Sequence, residues 1–211
     1  MRAHILLTPT GHTLFHLLST AVSDLDRANG PKPRKGRKRA TFIEKDLLEH
    51  IRATVRSPAF QNEFTVADDA SGRTATGRRR IDYVCLDPSI SVKPSALRQI
   101  SATCQVKGPA RPTIFKPKTK NYYEQEKEGV MHGIKPDVSK QHERSHGSPQ
   151  TEHYVFWMIE NPDNGEQIDK ALARLLARLE ADLPSVVLTE CARTFVRNDF
   201  GELWMFLFRV N

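Results

Sequence analysis

Apolar residues recur every three or four positions at Leu14, Leu17, Leu18, Val22 and Leu25, which predicts an amphipathic helix over Thr13 to Leu25. A Pro/Gly/Lys/Arg-rich stretch from Asn29 to Arg39 follows and reads as a linker or arm. The helical period resumes at Ile43, Leu47, Leu48 and Ile51. Thr41 suits the N-cap, Glu44 three residues on completes a capping box, and the helix runs to about Val55. Turn-bounded strand signals come next, at Phe60 to Ala67, Arg78 to Leu86 and Gln99 to Lys107, with a turn at Asp68 to Gly72. Gly108, Pro109 and Pro112 should end the third strand sharply at Lys107, because proline cannot donate to a sheet ladder and glycine weakens one.

The segment from Arg111 to Gln150 is polar. Forty structureless residues would be unusual inside a compact domain, so at least one helix is expected there, around Asp137 to Arg144. His153 to Glu160 is the most apolar run in the chain and reads as a buried central strand. Ile168, Leu172, Leu175, Leu176, Leu179 and Leu183 then form one helical stripe that Pro184 stops. Two strands, Ser185 to Val196 and Glu202 to Val210, close the chain across a turn at Asn198 to Gly201. The predicted fold class is α/β, a mixed central sheet flanked by helices. The expected organisation is an N-terminal helix and basic arm over 1–40 and an α/β domain over 41–211.

At 211 residues with 38% apolar content, the chain has enough material for one core. No run of about 18 uncharged apolar residues exists, so no membrane span is expected. The opening residues lack the pattern of a secretory signal. The three cysteines, Cys85, Cys104 and Cys191, form no CxxC pair. A reducing, cytoplasmic setting is expected. Charge adds more when it is divided along the chain: residues 1–120 hold 22 Lys+Arg against 10 Asp+Glu, while the remainder is net acidic. Three basic clusters stand out: Lys32, Arg34, Lys35, Arg37, Lys38 and Arg39; Arg78, Arg79 and Arg80; and Lys116, Lys118 and Lys120. Such patches attract polyanions and release their counterions, which makes nucleic acid the leading partner class.

The candidate chemistry lies on two predicted strands. Side chains alternate along a strand, so Gln105 and Lys107 project from one face while Cys104 and Val106 take the other. Asp82 on the neighbouring strand supplies a charged oxygen, and the Gln105 side chain and the Val106 main-chain carbonyl supply neutral ones. That donor set suits a hard cation, Mg²⁺ or Mn²⁺. Lys107 would hold or help deprotonate an attacking water and offset charge developing on a phosphate.

Asp82, followed by Gln105-Val106-Lys107 on the next strand and preceded by an acidic helix, resembles the PD-(D/E)xK nuclease superfamily across roughly residues 41–159. Gln105 stands where the family usually has an acid. This variant resembles Mrr-type restriction endonucleases and the TnsA-like endonuclease subunit of heteromeric transposases. Ile81 stands where proline is common. The resemblance implies a restriction-endonuclease-like fold and Mg²⁺-dependent hydrolysis of DNA phosphodiesters, in restriction, phage defence or mobile-element processing. Glu44 matches the position from which such nucleases add a carboxylate, with Glu49 as the fallback. A protein partner in a larger complex and a homo-oligomer are both compatible with it. The alternatives are an inactive nucleic-acid-binding module and a recruiting subunit on the same fold.

The remaining features weigh less. His142 and His146 would share one helical face, but no third ligand accompanies them and the pair reads as ordinary polar residues on the surface. Tyr122 and Tyr123 could stack on bases. No phosphate-binding glycine motif and no GxSxG elbow occurs.

Overall fold

The computed structural model describes residues 8–30, 32–37, 39–54, 60–65, 80–86, 100–110, 123–127, 130–147, 150–161 and 168–211. The Asp68 to Gly72 turn lies outside them. So do Lys38, Arg78, Arg79, Lys116, Lys118, Lys120 and Tyr122.

Helix α1 spans Pro9–Ala28, four residues earlier than the apolar period indicates. The reason is local: the Thr8 hydroxyl accepts the Gly11 N–H at 3.1 Å, and Pro9 occupies the first helical position, where its missing N–H costs nothing. Helix α2 is Glu44–Thr54. Strands β1 (Phe60–Thr65), β2 (Arg80–Leu86) and β3 (Ile100–Ala110) follow, then the short β4 (Gln125–Lys127) and β5 (Val130–His132). Helix α3 is Ile134–Gly147, β6 is Glu152–Asn161, α4 is Ile168–Asp182, β7 is Leu188–Asn198 and β8 is Gly201–Val210.

Six strands form one mixed sheet in the order β1-β2-β3-β6-β8-β7. Only the β3–β6 pair is parallel; the other neighbours run antiparallel. Alternation along β6 explains why this strand is apolar throughout. Tyr154, Phe156 and Met158 pack on one face with Leu14, Leu18 and Val22 of α1 and Leu47 and Ile51 of α2. Val155, Trp157 and Ile159 pack on the other with Ile134 and Val138 of α3 and the leucine stripe of α4. Each face is thus covered by helices, as a fully apolar strand requires.

The boundary expected at residue 40 does not divide this core. Helix α1 belongs to the same buried cluster as α2 and the sheet, and Gly11 lies so close to β6 that an added Cβ would stand 2.6 Å from the Tyr154 hydroxyl.

The residues read as a basic arm fold back as a strap. Arg39 is a correction to the expected phosphate-facing cluster, because its side chain is fully buried. It makes a bidentate pair with Asp26, both bonds at 2.8 Å, and donates to the Gly201 and Val196 carbonyls. Thr41, expected to cap α2, instead donates its hydroxyl to Asp26. Glu160, buried on β6, accepts the Arg39 main-chain N–H and a bond from Arg37. A charge that far from water is stable only with its hydrogen bonds complete, and the pairing geometry completes them.

Strand β3 supplies the second correction. It does not end at Lys107 but continues to Ala110, with pairing to β6 resuming at Ala110 opposite Ile159 after an irregularity. Gly108 makes this possible. Its φ is +122°, and a Cβ there would sit 2.5 Å from the Met158 carbonyl oxygen, so only glycine lets the backbone bulge and rejoin the ladder.

Removing one partner of a buried ion pair leaves the other charge stranded. Asp26→Ala should therefore lower stability by about 3–5 kcal/mol, read as a drop in the denaturant midpoint; an unchanged midpoint would show that the strap does not hold the core.

Candidate active site

Four elements converge around Lys107 of β3: β2 with Asp82, β3 itself, and the first turns of α2 and α3 with Glu44 and Asp137. The local start of α2 decides the role of Glu44. The N-cap is Ile43, whose main-chain N–H donates to Asp46 Oδ2 at 2.9 Å. Asp46 thereby performs the back-bonding expected of Glu44. Glu44 is released toward the sheet, where its Oε2 lies 3.4 Å from both Lys107 Nζ and the Gly108 nitrogen, which donates to it. The β3 bulge turns that N–H outward. Glu49 lies on the solvent side of α2 and pairs with Lys45.

Lys107 is paired with two acids, with Asp137 Oδ2 3.2 Å away in addition to Glu44. Lys140 approaches the second Asp137 oxygen at 3.6 Å. Asp82 is joined to the same strand through its Oδ2, which accepts the Val106 main-chain N–H at 2.7 Å. A side-chain carboxylate thus takes a donor that a strand carbonyl would otherwise take. Glu44 and Lys107 form an ion pair, and Asp82 bonds the strand residue next to Lys107. Gln105 is buried on the same face of β3 as Thr103 and Lys107, and the Val106 side chain is in the core.

Asp137 escaped sequence reasoning, though a signal was present. Ile134, Asp137, Val138 and Gln141 all fall on the buried face of α3, so an acid occupies a position that the helical period reserves for an apolar residue. Its placement is fixed by a buried network. Thr103 donates to Gln141 and bonds His153, and Gln141 donates to the Tyr154 carbonyl. These bonds lock α3 onto β3 and β6.

The electrostatics follow from three carboxylates sharing a desolvated space with one ammonium. Burial pushes the Asp82 carboxyl up to about 7; the Val106 N–H opposes this, while Glu44 and Asp137 add to it. Glu44 is likewise raised, by burial first, with Lys107 pulling it down and Asp137 up. For Lys107, desolvation favours the neutral amine, but Asp137, Glu44 and Asp82 together outweigh it and drive the pKa above its ordinary value. Lys107 is therefore held as an ammonium. In that form it can orient a water or stabilise charge but does not accept a proton. Water still reaches the cluster, because the Lys107 side chain is 20% exposed and that of Glu44 31%.

The donors fit a hard divalent cation by chemistry and by charge. They are all oxygens, and the three carboxylates outnumber the central ammonium. No three His, Cys, Asp or Glu side chains among the described residues are preformed as a metal cage. The ammonium of Lys107 pairs with both Glu44 and Asp137.

The basic residues divide. Lys32 and Lys35 are exposed. Arg34 pairs with Asp46, and Arg37 donates to the Pro109 carbonyl and to Glu160. Arg80 opens β2 opposite Thr65. Tyr123 is not a stacking platform: it is buried, donates to Asp182 at 2.8 Å and lies beneath the Arg178 guanidinium. No helix among the described residues is long and apolar enough to cross a membrane.

Comparison with family models, with curated proteins and with solved structures finds no match to this chain.

A carboxyl whose folded pKa exceeds its unfolded value binds protons more tightly when folded, so its contribution is complete below about pH 4 and is lost as pH rises through about 7. Asp82→Asn, which keeps an acceptor for Val106, should remove that part of the pH dependence and raise stability relative to the wild type at pH 8. Parallel denaturation curves from pH 4 to 8 for both proteins would contradict the assignment.

Proposed function

We propose that this chain is a divalent-cation-dependent endonuclease on a restriction-endonuclease-like fold, hydrolysing DNA phosphodiester bonds in restriction, phage defence or mobile-element processing. One observation carries the reading: Lys107 lies 3.4 Å from Glu44 beside an Asp82 carboxylate anchored on the adjoining residue of the same strand. The mixed sheet with helices on both faces supports it, as does a cluster that water reaches.

In this reading Asp82 and Glu44 hold Mg²⁺ or Mn²⁺, with the Gln105 and Val106 oxygens as neutral donors. The ion, when bound, supplies Lewis-acid polarisation of the phosphate and a more acidic water. Lys107 donates hydrogen bonds to the attacking water or the phosphate and offsets charge that grows in the transition state. Asp137 keeps the ammonium in place. It also provides a carboxylate near a strand that carries an amide at position 105, so the cluster keeps the charge that an acid at 105 would give. DNA approaches from the side of Lys32 and Lys35.

A second reading has one observation in its favour. Lys107 is already paired to two acids, an arrangement that also suits a structural ion-pair cluster in an inactive DNA-binding module.

Plasmid DNA incubated with Mg²⁺ or Mn²⁺ distinguishes them. The wild type should nick it, Lys107→Ala and Asp82→Asn should each reduce nicking by at least about 100-fold, and low-salt DNA binding should survive. Binding without cleavage by the wild type would establish the module instead. Replacing Lys32 and Lys35 together by alanine should flatten the slope of log K against log salt by about 2, close to one unit for each phosphate that the variant no longer neutralises. An unchanged slope would place the DNA elsewhere.

A further inference from the structure

We propose that the last turn of α3 is a binding site for a borderline divalent transition-metal ion, Zn²⁺ above all, with His142 and His146 as its two protein ligands. The site lies outside the oxygen cluster around Lys107 and does not depend on the nuclease reading.

Three observations support it. The histidines are four residues apart on Ile134–Gly147, so they stand one above the other on the helix surface. Their Nε2 atoms are 3.2 Å apart. Two imidazoles bound to one tetrahedral Zn²⁺ at about 2.0–2.1 Å hold their nitrogens about 3.3 Å apart, so the pair already has the bite of a chelate.

The second observation concerns the tautomer. His142 Nδ1 lies 3.1 Å from the Asn211 main-chain oxygen. A carbonyl only accepts, so Nδ1 donates to it, and in the neutral ring the Nε2 lone pair is left for a ligand. A metal-ligating imidazole normally has this partner on its remote nitrogen, which fixes ring orientation and raises basicity. The Asn211 oxygen is itself held in place: it accepts the Val187 N–H at 3.2 Å, and the Asn211 N–H donates back to Val187 at 3.0 Å.

Third, His146 precedes the final residue of α3. Unsatisfied carbonyls at a helix C-terminus carry partial negative charge, which favours a cation there. Without metal, the His146 N–H can donate to His142 as an ordinary hydrogen bond; ligation moves that proton to the His146 Nδ1 and frees both Nε2 atoms. No group of three His, Cys, Asp or Glu ligands exists among the described residues, so water completes the shell and the ion exchanges freely. Imidazole donors select Zn²⁺, Cu²⁺ or Ni²⁺ over Mg²⁺, whereas the β3 cluster offers oxygens alone. The two sites are sorted by donor chemistry.

Calorimetric titration with Zn²⁺ of the full chain tests this, using the wild type, His142→Ala, His146→Gln and Asp82→Asn. The wild type and Asp82→Asn should each bind one Zn²⁺ at this site and show a higher melting temperature in Zn²⁺. Each histidine variant should bind at least about 10-fold more weakly and lose the melting shift, with an unchanged melting temperature in the absence of metal. Equal Zn²⁺ binding by the wild type and the histidine variants would overturn the proposal, as would absence of binding by the wild type. Loss of binding in Asp82→Asn alone would also overturn it, by assigning the ion to the carboxylate cluster.

Discussion

One ammonium among three largely desolvated carboxylates is the constraint on which this stretch of β3 depends. Lys107 cannot leave: without it, Glu44, Asp82 and Asp137 would face one another in a desolvated space, where like charges repel more strongly than in water. With it, and with Lys140 on the outer oxygen of Asp137, the acids are largely balanced, while burial first and the neighbouring acids second raise the Asp82 carboxyl to about 7. The same carboxylates favour the charged form of Lys107, which suits it to electrostatic work.

Backbone geometry places these groups. The Gly108 bulge turns one N–H toward Glu44 while β3 rejoins β6 two residues later. Asp46 takes over the cap of α2 and so releases Glu44. The Thr103, Gln141 and Tyr154 bonds seat α3 so that its first turn presents Asp137. Each is a local solution to a hydrogen-bonding demand, and together they aim two helix N-termini at the same point. The partial positive charge of those ends favours the acids that occupy them.

Much of the fold was legible because hydrophobic period reports burial directly. The unbroken apolar run of β6 announced a strand covered on both faces, and the leucine stripe of α4 announced its packing face. Local chemistry was legible where alternation sufficed: Gln105 and Lys107 do share a face of β3. What the sequence could not disclose depended on partners far along the chain. Arg39 looked like its basic neighbours, and only Asp26, Gly201 and Val196 turn it inward. Glu44 had two equally good local explanations, and the choice was made by Asp46. The third strand was cut short at Gly108 and Pro109 because their ladder-breaking tendency is local, whereas the space that demands glycine belongs to Met158.

Asp137 bears on the amide at position 105. In the proposed nuclease reading, an amide where such sites usually carry an acid lowers the negative charge around the ion by one, and by itself that weakens attraction for a divalent ion. The charge need not return on the same strand. A carboxylate on any element that reaches the same space restores the field, since Coulomb attraction depends on distance and dielectric and is indifferent to chain position. Asp137, 3.2 Å from the ammonium that it shares with Glu44, meets that requirement from a helix 30 residues further on. In that reading, placing an acid at 105 while Asp137 remains would add negative charge and drive Asp82 further toward its protonated form. The amide and the helix acid are best understood as one charge distribution spread over two elements.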